Sequence, residues 1–151
     1  KNLVLILHNI RSTYNVGAIL RTADGLGVKK VYFSGYTPHL LKGLPHERDK
    51  LKKQIHKTAL GAEDTVPQEF AEDIKDLILS LKTSGYSILA LEQNENSINL
   101  AESTPKEDYQ ALILGEEVLG ITDDIIAQAD HILEIPMFGQ KESFNVSVAA
   151  A

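Results

Sequence analysis

Leu3 to Leu7 is an unbroken apolar run, and a polar stretch from His8 to Asn15 follows it at once. A run of that length predicts a strand covered on both faces, as the central strands of parallel sheets are. Val16 to Asp24 reads as a helix, with Asn15 as its N-cap and Gly25 or Gly27 as its stop. Lys30 to Ser34 reads as a second strand. Tyr36 to Lys57 has no clear apolar period and is expected to be a long loop, the kind usually kept for function. Glu69 to Thr83 places Phe70, Ile74, Leu77, Ile78 and Leu81 on one helical face, and Gly85 ends it.

Ser87 to Leu91, Gln110 to Leu114 and His131 to Ile135 read as the third, fourth and fifth strands. Thr122 is placed to cap a short helix, Asp123 to Gln128, whose first-turn acids suit the helix dipole. Near the end, Ser143, Asn145 and Ser147 alternate with Phe144, Val146 and Val148, a strand pattern. Strands alternating with helices predict an α/β fold, a mostly parallel sheet with helices on both faces. Such sheets bind ligands at the carboxyl ends of their strands. The loops after Leu7, Leu91, Leu114 and Ile135 are therefore the candidate site.

A chain of 151 residues, 43% hydrophobic and 24% charged, reads as one globular domain, residues 1–151. The absence of Cys excludes disulfides, thiolate zinc sites and a Cys nucleophile. No apolar run approaches the roughly 18 residues of a membrane span. The first residues are too short an apolar stretch for a signal peptide, so a cytoplasmic location and no membrane partner are expected. The net charge is −6, but it is unevenly spread. Residues 1–57 hold eleven Lys/Arg and three Asp/Glu, whereas residues 58–151 hold four and eighteen. A basic end can attract a polyanion locally, because screening acts over about 8 Å at physiological salt.

The loop after the first strand gathers Asn9, Arg11, Ser12 and Asn15, with Arg21 further along the helix. Arginine offers a planar, permanently charged fork for phosphate or carboxylate, although a capped helix with a solvent-facing Arg reads the same way. Gly115-Glu116-Glu117-Val118-Leu119-Gly120 follows the fourth strand. It is neither a dinucleotide fingerprint nor a phosphate loop, and its acids would repel phosphate. They suit a cationic or hydroxyl-bearing ligand. Adjacent carboxylates on an extended segment point to opposite sides, which argues against a glycosidase pair. The His residues (8, 39, 46, 56 and 131) lack metal-ligand spacing, so they read as surface or capping groups and no metal site is expected. Ser12, Ser143 and Ser147 have no nucleophile-elbow context.

Three segments together resemble the SPOUT methyltransferases, specifically the TrmH (SpoU) family of RNA ribose 2′-O-methyltransferases. They are Asn9 to Ala23, Leu112 to Ile121, and Ile135-Pro136-Met137-Phe138-Gly139 through Glu142 to Ala149. The third carries Phe144 where the family usually has Leu. The resemblance implies a deep trefoil knot in the C-terminal part and S-adenosyl-L-methionine bent within it. Members of that family continue into a closing helix where this chain has Ala149-Ala150-Ala151, so the helix is expected to be either trimmed here or short, and no separate RNA-binding domain is expected. It assigns cofactor contacts to Leu91, Glu92, Gly115, Gly120, Ile135, Met137, Ser143 and Phe144. Catalysis falls to Arg21, with Asn15, Glu117, Ser143 and Asn145 orienting it, the ribose and the cofactor.

The resemblance further implies a homodimer with its active site near the interface. The expected reaction is methyl transfer to a ribose 2′-hydroxyl of tRNA or rRNA. RNA would meet Asn9, Arg11, Arg21 and the basic residues Lys42, Arg48, Lys50, Lys52, Lys53 and Lys57. The alternatives are a base methyltransferase of the same fold and a catalytically silent RNA-binding module.

Overall fold

The computed structural model describes residues 2–103 and 107–151. Seven strands form one parallel sheet: β1 (Asn2–His8), β2 (Lys30–Ser34), β3 (Gln68–Ala71), β4 (Ser87–Leu91), β5 (Ile98–Asn99), β6 (Tyr109–Leu114) and β7 (His131–Glu134). Their order is β3-β2-β1-β6-β4-β7-β5. β1 lies between β2 and β6, with Leu5 in register with Val31 on one side and Leu112 on the other. Its apolar run is explained by two cores. Leu5 and Leu7 pack on one face of the sheet, Val4 and Ile6 on the other. Helices α1 (Thr13–Leu26), α2 (Pro45–Ala59) and α3 (Ala62–Thr65) cover the first face. Helices α4 (Ile74–Thr83) and α5 (Asp123–Ile126) cover the second.

Helix α1 starts earlier than the apolar pattern predicts. Ser12 is its N-cap and accepts from the Asn15 N–H at 3.2 Å, so Asn15 sits inside the first turn. Gly27, at φ 67°, ends it in the left-handed conformation. The apolar stripe Val16, Ile19, Leu20 and Ala23 is buried.

The expected loop from Tyr36 to Lys57 is instead largely helix α2. Only Ile55 and Ala59 of its fifteen residues are buried, too few to show a period. Its signals are local: Pro45 in the first turn, and Glu47 accepting from the Leu44 N–H at 3.2 Å. Arg48, Lys50, Lys52, Lys53 and Lys57 therefore stand on a helix, and only Lys42 precedes it.

The helix expected over Glu69–Thr83 begins at Ile74, where Asp73 caps it. Phe70 belongs to β3, in register with Phe33. His39 stacks on Phe70 at 4.4 Å, and half-buried His8 bonds Ser34 Oγ at 2.8 Å. His39 also accepts from the Leu41 N–H at 3.2 Å, the capping role expected of it, whereas His8 is tied to the end of β2 instead. Burial also holds His8 below its ordinary pKa, although the Asp124 carboxylate opposes this. The alternating segment after Ser143 is not a strand but a short helix, α6 (Val146–Ala149), because the Asn145 side chain accepts from the Ser147 N–H at 2.9 Å and caps it. Among the described residues no helix is long and apolar enough to cross a membrane.

Helices α1 and α2 pack closely only because residue 17 is glycine. A Cβ there would lie 2.3 Å from the Ile55 carbonyl oxygen and 2.2 Å from Thr58 Oγ1. Gly17→Ala is expected to cost about 1–3 kcal/mol, a fall of several degrees in Tm. Gly25→Ala, where a Cβ meets nothing within 4 Å, is expected to raise Tm instead. Thermal denaturation of both variants measures the contrast, and an unchanged Tm for Gly17→Ala contradicts the packing account.

Candidate active site

Progress across the sheet reverses between β1 and β6, and a crevice opens on the β6 side of that point. Its wall is built by the ends of β4, β6 and β7 together with the C-terminal segment. The tight turn after β6 forms one side. Gly120 takes φ 70°, and a Cβ on it would come within 2.1 Å of Glu92 Oε2. A Cβ on Gly115 would sit 2.5 Å from Ile121 Cγ1. Glycine at both positions thus lets the turn close on its neighbours. Glu92 Oε2 accepts from the Ile121 N–H at 2.8 Å, and the Glu92 N–H donates to Leu133 O at 2.9 Å. One residue at the end of β4 therefore ties the ends of β6 and β7.

The two adjacent acids diverge, as expected. Glu116 is buried and folds back onto its own turn, accepting from the Val118 N–H at 3.1 Å and from the Leu119 N–H. Glu117 reaches the loop after β1. It accepts from the N–H groups of Arg11 at 3.1 Å and Ser12 at 3.3 Å, and from Asn15 Nδ2 at 3.0 Å. Asn15 Oδ1 in turn accepts from Asn145 Nδ2 at 3.2 Å. Burial works against the Glu117 charge, but the donors from Asn15, Arg11 and Ser12 outweigh it and hold the carboxyl below its ordinary range.

Of the expected cofactor contacts, Leu91, Glu92, Gly115, Gly120, Ile135, Ser143 and Phe144 line the crevice. Met137 is half-buried and outside that wall. Asn15, Glu117 and Asn145 are joined in one chain of hydrogen bonds, and Ser143 is on the wall. Arg21 stands apart. It is exposed, does not line the crevice of its own chain, and six residues of helix turn it away from Asn15's direction. Among the described residues it has no hydrogen-bond or ion-pair partner.

Asn9 adopts φ 56° and is engaged within the fold: Oδ1 accepts from the Tyr36 N–H at 3.1 Å and Nδ2 lies 3.3 Å from His8 Nε2. Arg11 Nη2 lies 3.6 Å from Glu116 Oε1, yet the Arg11 side chain is 73% exposed. Lys42 pairs with Glu72, and Lys52 with Asp64 at 2.7 Å. Arg48, Lys50, Lys53 and Lys57 are exposed. Thr37 was not a candidate, although it is 2% exposed and binds two strand ends together. Its Oγ1 donates to Leu7 O at 2.8 Å and accepts from the Ile10 N–H at 3.0 Å. A single Thr in a loop carries no pattern that could have marked it.

Chemically, the crevice combines an apolar floor, from Leu91, Leu114, Ile135, Phe144, Val146 and Ala149, with a rim of Glu92, Glu116, Glu117 and Glu134. This lining of apolar groups and carboxylate acceptors favours a ligand that is part flat and apolar and part cationic, and disfavours a free phosphate.

A model of the SpoU rRNA methylase family matches residues 2–151. The tRNA (guanosine(18)-2′-O)-methyltransferase of Escherichia coli is 31% identical over 153 residues, covering 99% of this chain and 60% of that protein. The 23S rRNA (guanosine-2′-O-)-methyltransferase RlmB of Neisseria meningitidis is 33% identical over 149 residues, covering 98% of this chain and 54% of that protein. The chain thus spans little more than half the length of these curated relatives. The Aquifex aeolicus TrmH/SpoU tRNA modifying enzyme has a TM-score of 0.82 at 27% identity, covering 99% of this chain and 70% of that one. The AdoMet-bound rRNA methyltransferase from Sinorhizobium meliloti shares the fold, with a TM-score of 0.85 at 22% identity over 99% of this chain and 52% of that one. With the family pattern running from β1 through the capped turn at Asn145, the chain belongs to the SpoU rRNA methylase family.

Proposed function

We propose that this chain is the catalytic part of an S-adenosyl-L-methionine-dependent methyltransferase acting on a ribose 2′-hydroxyl of tRNA or rRNA. The observation that carries the reading is the Asn145–Asn15–Glu117 chain, which joins three separated segments at the rim of an acid-edged crevice. The donor fits that crevice by its chemistry. Its adenine matches the apolar floor, and its sulfonium and ammonium groups match the carboxylate rim. Main chain at Gly115, Gly120 and Ile135, with Leu91, Glu92, Ser143 and Phe144, would hold it, and Met137 follows in the same strand exit. The region from β6 to α6 would thread as a deep trefoil knot, a rare departure from unknotted topology. When bound, the donor supplies a methyl group already activated on a positively charged sulfur.

The remaining task is to place the ribose oxygen and let its proton leave. As the oxygen–carbon bond forms and the sulfur–carbon bond breaks, the hydroxyl proton passes to solvent or a neighbouring phosphate. Arg21 stays protonated and is no base. Its fork instead grips the adjacent phosphate and stabilises the developing alkoxide. Because Arg21 lies outside the crevice of its own chain, a second copy presents it, and the site is completed in a homodimer. Four apolar residues on the site segments support such a contact: Val118, Leu119, Phe138 and Val148 are 82%, 85%, 95% and 60% exposed. Arg11, Lys42, Arg48, Lys50, Lys52, Lys53 and Lys57 meet RNA phosphates. The exposed ion pairs of Lys42 and Lys52 are weak enough to yield to them.

Arg21→Ala and Arg21→Lys are each expected to abolish methyl transfer to total RNA while leaving donor affinity within a few-fold. Transfer of labelled methyl and donor titration calorimetry read the two effects, and wild-type turnover in either variant refutes the role. Mapping the methyl group onto a base rather than the ribose would favour the base-methylating alternative. Donor at 100 times its Kd is expected to stabilise the protein by about 2.7 kcal/mol; no shift in Tm sinks the cofactor assignment.

The Glu117 clamp also predicts a pH dependence. Its carboxyl is held below the ordinary value of 4.5, so its stabilisation is full above that pH and is lost as pH falls through the folded value. Glu117→Gln is expected to lower stability at pH 7, with the gap from wild type closing in acid, as the pH falls through the lowered folded value. Denaturant titrations across that range test this, and a gap that persists in acid argues against a charge-borne clamp.

A further inference from the structure

Tyr14 occupies the first turn of α1, one residue before Asn15, and it is 50% exposed. Its main chain is firmly held. Thr58 Oγ1, on α2, donates to the Tyr14 carbonyl at 2.8 Å. Lys57 Nζ lies 5.8 Å from the centre of the ring. Lys57 is the last of a row: His46, Lys50, Lys53 and Lys57 recur at i, i+4, i+7 and i+11, so they share one face of α2. All four are exposed, and the opposite side of the helix buries Ile55 and Ala59. By helical rise the row is about 16 Å long. Glu47 and Asp49 lie to either side of it on the helix surface. An anchored aromatic ring therefore stands at the end of a row holding three lysines, next in sequence to the Asn15 that bonds Glu117 and on the same face of α1 as Arg21, seven residues on.

We propose that Tyr14 is a stacking platform for an unpaired base of the substrate RNA, that of a nucleotide flanking the methylated one, and that the α2 row carries the strand's phosphates away from it. This rests on the reading of RNA as substrate and adds the residue that holds the strand beside the target. An aromatic ring stacks any base through its π-face, so the contact is tolerant of sequence but requires a base free of its own duplex. The fixed main chain keeps the ordering cost low. Lys57 Nζ, 5.8 Å from the ring centre, flanks one face, so the base takes the other and Lys57 meets its phosphate. The consequence is a preference for loops, bulges or unstacked ends over regular duplex.

The test compares a short oligoadenylate RNA with its abasic counterpart, by fluorescence anisotropy on the full chain. Tyr14→Ala is expected to weaken oligoadenylate binding about 5- to 150-fold and to leave the abasic strand unaffected. Tyr14→Phe is expected to bind both as wild type does. Lys53→Ala and Lys57→Ala are expected to weaken both strands and to flatten the dependence of log K on log salt by about 0.7 each. The platform is overturned if Tyr14→Ala binds oligoadenylate like wild type, if it weakens both strands equally, or if Tyr14→Phe falls as far as Tyr14→Ala. Any of these results alongside retained methyl transfer to total RNA by wild type removes the platform alone. Loss of that transfer removes the underlying reading as well.

Discussion

A single carboxylate holds the site together. Glu117, on the turn after β6, accepts from two main-chain N–H groups and one side-chain amide of the loop that follows β1. A carboxylate with three donors stays ionised, and charge-assisted bonds are about twice as strong as neutral ones. The loop would otherwise have unpaired N–H groups at its most exposed stretch. Because Asn15 gives its amide hydrogen to Glu117, its oxygen is left free to accept from Asn145. The direction of each bond thus follows from the first. The C-terminal segment is placed by the same charge that orders the loop, although 130 residues separate Asn15 from Asn145.

A second constraint is steric. β6, β4 and β7 end side by side, and the turn after β6 closes tightly on itself and against Glu92 at the end of β4. Glycine at 115 and 120 permits the approach, and Glu92 ties the result. The Glu116 carboxylate satisfies the amides of its own turn, so Val118 and Leu119 are pushed outward. Exposed apolar side chains therefore arise from the same geometry that closes the crevice. This couples the shape of the crevice to an exposed apolar surface beside it.

Electrostatics divide the molecule in the same way. The crevice rim is acidic, and the exposed face of α2 is basic. The two lie on elements joined through α1, whose first turn touches Glu117 at Asn15 and α2 at Tyr14. At physiological salt such patches act separately, since they are screened over about 8 Å. A negative net charge is thus compatible with a locally polyanion-attracting surface.

The alternation of apolar runs and helical stripes in the chain already determined the parallel α/β class, its covered faces and strands β1, β2, β4, β6 and β7, but not the two edge strands β3 and β5. Those features come from burial on a fixed period, which is written residue by residue. The motif pattern likewise marked Asn15, Glu117 and Asn145 as partners in one site. Tertiary structure decided what periodicity cannot carry. Helix α2 buries only Ile55 and Ala59, so it depends on Gly17 and on capping at Leu44 rather than on a stripe. Phe70 became a strand residue because β2 offered a parallel edge opposite Phe33. The segment after Ser143 became helical because the Asn145 side chain captured a nearby amide. Which way Arg21 points was decided by the helix to which it belongs. In each case the outcome depends on a partner distant in sequence or on a local cap competing with the pattern, and neither is visible in the order of apolar and polar positions.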